Sequence, residues 1–213
     1  MKIALLSATK VSLEPIEQAF REVTTEVELF HLLDSSLLPM LKVEKKITPK
    51  IIQRFVKLID LAVSADARAV LFTCSAFNNL ADMLQPLYNI RLFRSDEAML
   101  NQAIDYEKVG LVSTVAETPV ALKSYMRKKT PSIQIESVVD DGVLDLLNTG
   151  LKEEHDERVR KMIDQLKGKV DVIILSQYSI AHVKEQTSLN IPILTAPDAS
   201  AKQCAEYLQK LGS

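Results

Sequence analysis

The residue type best suited to covalent or acid–base work is cysteine, and the 213-residue chain has two, Cys74 and Cys204. Cys74 stands in Thr73-Cys74-Ser75, directly after the apolar run Ala69-Val70-Leu71-Phe72, where a strand should give way to a helix. A thiol at a helix N-terminus is expected to have its pKa lowered towards a reactive thiolate. Three other strand-to-helix junctions carry small hydroxyl residues: Ser7-Ala8-Thr9, Ser113-Thr114 and Ser176-Gln177-Tyr178-Ser179. Hydroxyls and free backbone N–H groups converging at helix starts suit a carboxylate. Asn78, one turn after Cys74, either faces the same ligand or caps a turn. Each of these residues also has a plainer reading. Ser and Thr before helices are commonly caps, and a free cysteine is commonly a small buried hydrophobe. Cys204, inside Ala201-Lys202-Gln203-Cys204-Ala205, reads as structural.

Metal and nucleotide chemistry find less support. The three histidines, His31, His155 and His182, are far apart in sequence, with no His-x-x-x-His pair, so no dedicated metal site is expected. His31 and His155 read as surface or strand-end residues without a partner, and His182 as a helix-surface residue. The run Lys152–Arg160 reads as a solvated helix face. No glycine-rich phosphate loop and no Gly-x-Ser-x-Gly turn occurs. The charge is −2, from 26 basic and 28 acidic residues, which provides no global field for nucleic acid. No apolar run is long enough to span a bilayer, and Ile3-Ala4-Leu5-Leu6 is too brief for a signal-peptide core, so a cytoplasmic location is expected.

The elements that must position these residues alternate. Strands are predicted at 2–7, 26–32, 69–73 and 90–93, then at 108–112, 133–139, 170–175 and 191–194. Helices are predicted at 13–24, 48–64, from Cys74 to about 87, 97–105, 117–129, 151–167 and 198–211. Thr48-Pro49 is a well-signalled helix start, and Ser95-Asp96 is a second. Strands that are apolar throughout and separated by helices imply parallel sheets covered on both faces. The second half also repeats the first. Ile3–Thr9 matches Val109–Thr114, Ala69–Ser75 matches Val172–Tyr178, and Ile90–Phe93 matches Ile191–Leu194. The expected fold is therefore α/β: two similar lobes, each a parallel four-stranded sheet flanked by helices, related by a pseudo-two-fold with a cleft between. The first lobe takes 1–96 with 199–213, and the second 97–198.

On the segments Val70–Ala76, Val109–Thr114 and Asp171–Gln177, with the helix starts Ser95–Ala98 and Pro197–Ala199, the chain resembles the aspartate/glutamate/hydantoin racemase superfamily. The resemblance implies a cofactor-independent enzyme that moves a proton on, or adds a thiol to, a small carboxylate. Relatives of this kind place one cysteine in each lobe. Cys74 matches the first, and the second position is Gln177. An amide has no proton to exchange near neutral pH, so a single-cysteine variant is expected, with Gln177 hydrogen-bonding the substrate. Tyr178 or His182 are the residues that could replace the second acid/base. The carboxylate cradle is assigned to Ser7, Thr9, Thr73, Ser75, Ala76, Asn78, Ser113, Thr114, Ser176, Tyr178 and Ser179. The resemblance further implies no cofactor and a homodimer or larger homo-oligomer, and the composition adds the expectation of no metal and no nucleic-acid or membrane partner. Decarboxylation of a malonate-type acid, or carboxylate binding without turnover, are the alternatives.

Overall fold

In the computed structural model, which describes residues 1–116 and 118–212, two units emerge from the contacts. One is Met1–Ser95 together with the chain from Ser200 onward, and the other is Asp96–Ala199.

The first unit is built on β1 (Lys2–Ser7), β2 (Glu28–Leu33), β3 (Ala69–Phe72) and β4 (Arg91–Phe93), all parallel, in the order β2-β1-β3-β4. β1 and β3 are apolar and buried on both faces, as central parallel strands must be when helices cover the sheet. The helices are α1 (Leu13–Val23), α2 (Leu37–Glu44), α3 (Pro49–Ser64) and α4 (Asn78–Leu84). In α3 the buried residues Ile51, Phe55, Ile59 and Ala62 recur at helical spacing and form one stripe against the sheet. Its start is as the sequence predicts: Pro49 occupies the first turn and the Thr48 hydroxyl accepts the Ile51 N–H.

The second unit repeats this order. Strands β5 (Lys108–Ser113), β6 (Gln134–Val139), β7 (Val172–Leu175) and β8 (Ile193–Thr195) are parallel and run β6-β5-β7-β8. Val109 pairs with Val172 as Ile3 pairs with Ala69, so the matched sequence segments occupy matched places. Helices α5 (Glu97–Ala103), α6 (Thr118–Lys129), α7 (Val143–Asn148) and α8 (Lys152–Asp164) belong to this unit. The sequence expectation began α6 at residue 117, which lies outside the described residues. α8 packs Val159, Met162 and Ile163 against Val112, Ile173 and Leu175. At Gly110 a Cβ would lie 2.9 Å from Leu166 Cδ1 and 3.1 Å from Val170 Cγ2, so a larger residue here would push those side chains aside.

The last helix, α9 (Ala196–Gly212), starts in the second unit and ends in the first. There Tyr207 meets Phe93 edge-on at 5.3 Å, and Cys204 is fully buried, the structural role its position suggests.

Three expectations about local structure are corrected. The residues after Cys74 form a 3-10 turn, Ser75–Phe77, followed by the seven-residue α4 and a second 3-10 turn, instead of one helix to residue 87. The residues after Gln177 form a 3-10 stretch, Tyr178–Gln186, in place of an α-helix. Its buried Ile180 and Val183 are three residues apart, the period a 3-10 helix stacks on one side. α2 and α7 are additional helices that short length and weak amphipathic patterning hide from the sequence.

Candidate active site

The site is built on strand ends, and each unit has its own set. In the first unit the turn after β3 is pinned at both sides of Cys74. Phe72 and Phe77 both pack on Phe55, with ring centroids 5.2 Å and 4.9 Å apart. The Phe77 N–H donates to the Cys74 carbonyl at 3.1 Å and closes the turn. Thr73, buried, shares a 2.7 Å hydrogen bond with the Ser7 hydroxyl and one of 3.2 Å with Ser12. The Thr73 N–H also reaches the Leu6 carbonyl. Ser7 and Thr73 therefore spend their hydroxyls holding the ends of β1 and β3 together. Thr9 is half-buried, Ser75 half-buried and Ala76 exposed.

Cys74 is half-buried, with its side chain against the apolar cluster of the unit. Burial pushes its thiol up to about 11, and the Ala76 N–H, which hydrogen-bonds the sulfur, offsets this only in part. This corrects the expectation of a lowered pKa. A three-residue 3-10 turn followed by a short helix supplies little dipole, and no cation contributes to the shift. Cys74 is thus a neutral thiol at pH 7, an acid carrying its proton. Asn78 is buried; its Oδ1 accepts from both the N–H and the hydroxyl of Ser95, at 3.0 and 3.1 Å. Its Nδ2 has no partner and keeps two buried donor hydrogens unspent. Ser95 is therefore tied to Asn78.

Sequence reasoning missed a hollow of about 230 Å³ beside the ends of β1 and β2, lined by Ala8, Thr9, Ser35, Leu38, Pro39 and Lys42. Lys42 brings an ammonium to it. The signal was obscured because 34–47 carries no clear periodicity, so no element presents Ser35 and Lys42 there until α2 is known.

In the second unit the junction after β7 is organised by Gln177. Its Nε2 donates to the Ser113 hydroxyl at 2.9 Å and the Thr118 hydroxyl at 3.2 Å, and its Oε1 accepts the Thr114 N–H at 3.2 Å. Both Nε2 hydrogens and one Oε1 lone pair are thus used within the unit. The Ser113 hydroxyl donates onward to the Val115 carbonyl at 2.8 Å. Gln177 is therefore a staple between β7 and the turn after β5, and a donor for substrate only if this network opens. Thr114 Oγ1 and Ser176 Oγ, by contrast, are buried without a partner among the described residues. Tyr178 and Ser179 are both buried.

The histidines depart from expectation. His31 Nε2 lies 2.9 Å from Glu17 Oε1. His155 is fully buried, with Nδ1 2.7 Å from Asp156 Oδ1, and Asp156 is buried too; Lys152, Glu153, Glu154 and Glu157 are exposed, so α8 has the expected solvated face with His155 and Asp156 turned away from it. His182 lies on the 3-10 stretch, with its Nε2 2.7 Å from the same Asp156 oxygen. It is engaged there as a partner of α8. The expectation failed because 26 residues of sequence separate His182 from Asp156, and only the fold joins them.

Both units thus carry hydroxyl-rich strand ends on parallel sheets, and one of them carries a thiol. The family model described as Asp/Glu/Hydantoin racemase matches residues 3–204. The chain belongs to that family. No curated protein matches it. Solved structures that resemble it include an allantoin racemase from Klebsiella pneumoniae, with TM-score 0.76 and 16% identity, covering 100% of this chain and 89% of that one. A glutamate racemase isoform from Bacillus anthracis matches with TM-score 0.77 and 15% identity, over 99% and 82% of the two chains. An aspartate racemase from Picrophilus torridus matches at 0.75 and 14%, over 99% and 94%. At these identities the likeness establishes the fold. No helix among the described residues is long and apolar enough to cross a membrane.

Proposed function

We propose that this member of the racemase family catalyses proton transfer at the carbon next to a carboxylate of a small acid, using Cys74 as its single thiol. The observation that carries the reading is Cys74 itself: a half-buried, neutral thiol at the carboxyl end of a central parallel strand, where ligands of such sheets bind. A thiol held in its acid form is ready to deliver a proton to a carbanion or enediolate. To remove a proton it must first lose its own, and the high pKa makes that form scarce at pH 7. An unspent donor suited to a carboxylate and to developing negative charge at the first unit's junction is Asn78 Nδ2; the second unit's junction has its own in Thr114 Oγ1 and Ser176 Oγ. Lys42 and Thr9, lining the hollow, supply a further anion-binding group. Ser7, Thr73 and Ser113 support these positions, since their hydroxyls are already paired. The reading includes cofactor independence, a cytoplasmic location and a homo-oligomer, the last checked by light scattering on the purified chain.

A second reading has one observation in its favour. Where the family resemblance implies a second thiol the matched residue here is Gln177, and its amide is bound within the second unit. One-sided protonation after loss of carbon dioxide from a malonate-type acid needs only the Cys74 proton.

The experiment incubates amino acids, hydantoins and substituted malonates in heavy water with wild type and Cys74→Ala. The proposal expects deuterium at the α-carbon of at least one compound with wild type and none above background with the variant. Deuteration without racemisation selects one-sided chemistry, and carbon dioxide release selects the decarboxylase. Tight carboxylate binding without deuteration would make the protein a non-catalytic binder.

A further inference from the structure

The second unit contains a cluster that the strand-end chemistry does not use. His155 and Asp156, neighbours in the first turns of α8, meet His182 from the 3-10 stretch after β7. One ligand atom from each of His155, Asp156 and His182 lies within 4.8 Å of the other two. Both imidazole nitrogens lie 2.7 Å from the same carboxylate oxygen, so they aim at one point. The rings are nearly parallel, 15° apart, with centroids separated by 5.9 Å.

We propose that these three side chains form a binding site for a divalent transition ion of borderline softness, with Zn²⁺ as the representative. Two imidazoles and one carboxylate are a ligand set that suits such ions. A tetrahedral ion with bonds of about 2.0–2.1 Å places its ligand atoms about 3.3 Å apart. Asp156 Oδ1 has to retreat by about 0.6 Å from each nitrogen, and the ligand atoms, now within 4.8 Å of one another, have to settle at that common spacing. The carboxylate is already oriented from behind. Gln186 Nε2 donates to Asp156 Oδ2 at 2.8 Å, and Arg160 fixes that amide by donating to Gln186 Oε1 at 2.6 Å. Outer partners of this kind set the aim of a ligand and contribute to affinity. His155 and Asp156 are buried, while the His182 side chain is 31% exposed and gives the ion its entry and a water its fourth position.

On binding, the ion takes the lone pairs of His155 Nδ1 and His182 Nε2, and the ring protons move to His155 Nε2 and His182 Nδ1. His155 Nε2 is buried without a protein partner, and the Arg160 charge stands behind the carboxylate. Micromolar affinity is therefore expected, weaker than that of a closed structural zinc site. The ion would fasten the stretch that follows Gln177 onto α8. The inference rests on residues separate from Cys74, so it stands or falls independently of the catalytic reading.

The test titrates the chelator-stripped full chain with Zn²⁺ against a chromophoric chelator, and with Co²⁺ by absorption. The expected result is one equivalent of Zn²⁺ bound and a tetrahedral Co²⁺ spectrum in the visible. No sulfur-to-cobalt charge-transfer band should accompany it, and Cys74→Ser should bind unchanged. His182→Ala, at the partly exposed position, should weaken binding by about 100-fold or more, and Gln186→Ala by about 10-fold. Circular dichroism shows whether each variant is folded; if His182→Ala is not, the Gln186→Ala affinity decides. Failure to bind one equivalent overturns the site and leaves the cluster a hydrogen-bonded pin. Binding that persists unweakened in the folded variants, or that shows the sulfur band and disappears in Cys74→Ser, also overturns it.

Discussion

The ends of β3 and β7 occupy the same place in the two sheets, yet they have been built for different work. After β3 the chain presents Cys74, with its proton retained by burial, and Asn78, with two donor hydrogens unspent. After β7 it presents Gln177, whose amide is consumed by Ser113, Thr114 and Thr118. One junction has kept reactivity and free hydrogen-bonding capacity. The other has exchanged them for internal order, and its remaining free hydroxyls, Thr114 and Ser176, lie beside the staple. A repeated fold therefore does not imply a repeated chemical role. The difference is visible in which polar atoms are satisfied, more than in which residue types are present.

The comparison is broken most severely at Cys74. Cys74→Ala should reduce α-proton exchange by about 10²–10⁴-fold, the usual contribution of a positioned acid, with little change in melting temperature. Deuterium exchange followed by NMR, beside a thermal melt, checks both parts. Next in size is Gln177→Ala, which leaves the Thr114 N–H without its acceptor and removes the donor to the Ser113 and Thr118 hydroxyls. It should cost about 1–3 kcal/mol of stability, read by urea unfolding, and reduce exchange far less than Cys74→Ala does. A Gln177→Ala protein that is fully stable but inactive would reverse the roles assigned to the two junctions. Asn78→Asp replaces the free donor with a charge that repels a carboxylate. It should raise KM more than it lowers kcat, as steady-state kinetics on the substrate found by the heavy-water screen will show.

The smallest effects are in the pH dependence of stability. The Cys74 pKa is higher in the fold than in the unfolded chain. Its contribution is present below the unfolded value and is lost as pH rises through about 11. Asp156 behaves oppositely. Burial alone would raise its pKa, but hydrogen bonds from Gln186, His155 and His182 hold it below the usual carboxylate value. Its contribution is present above the unfolded pKa and declines as pH falls through the folded one. Wild type should therefore lose stability in acid more steeply than Asp156→Asn, as paired urea titrations will show.

Much of this was legible in the sequence. The apolar runs Ile3–Leu6, Ala69–Phe72, Val109–Val112 and Val172–Leu175 read as buried parallel strands, and their repetition pointed to two similar units; the strand order of each sheet came only with the structure. Thr48-Pro49 marked its helix because cap and proline act locally. Cys74 was visible as a thiol at a strand end. Its protonation state was not, because that depends on how Phe55, Phe72 and Phe77 pack the turn and how short the following helix is. The commitment of Gln177 depends on Ser113 and Thr118, brought to it from across the sheet. The His155–Asp156–His182 cluster was hidden for the same reason, since α8 and the 3-10 stretch meet only in the fold.

The most direct test of the account is the rate at which Cys74 is alkylated by iodoacetamide as a function of pH, read by peptide mass spectrometry. The account predicts slow modification at pH 7, rising about tenfold per unit towards a midpoint near 11, with buried Cys204 unreactive. A midpoint below 8 would contradict it, because Cys74 would then be a resident thiolate and its part as a retained proton donor would be lost.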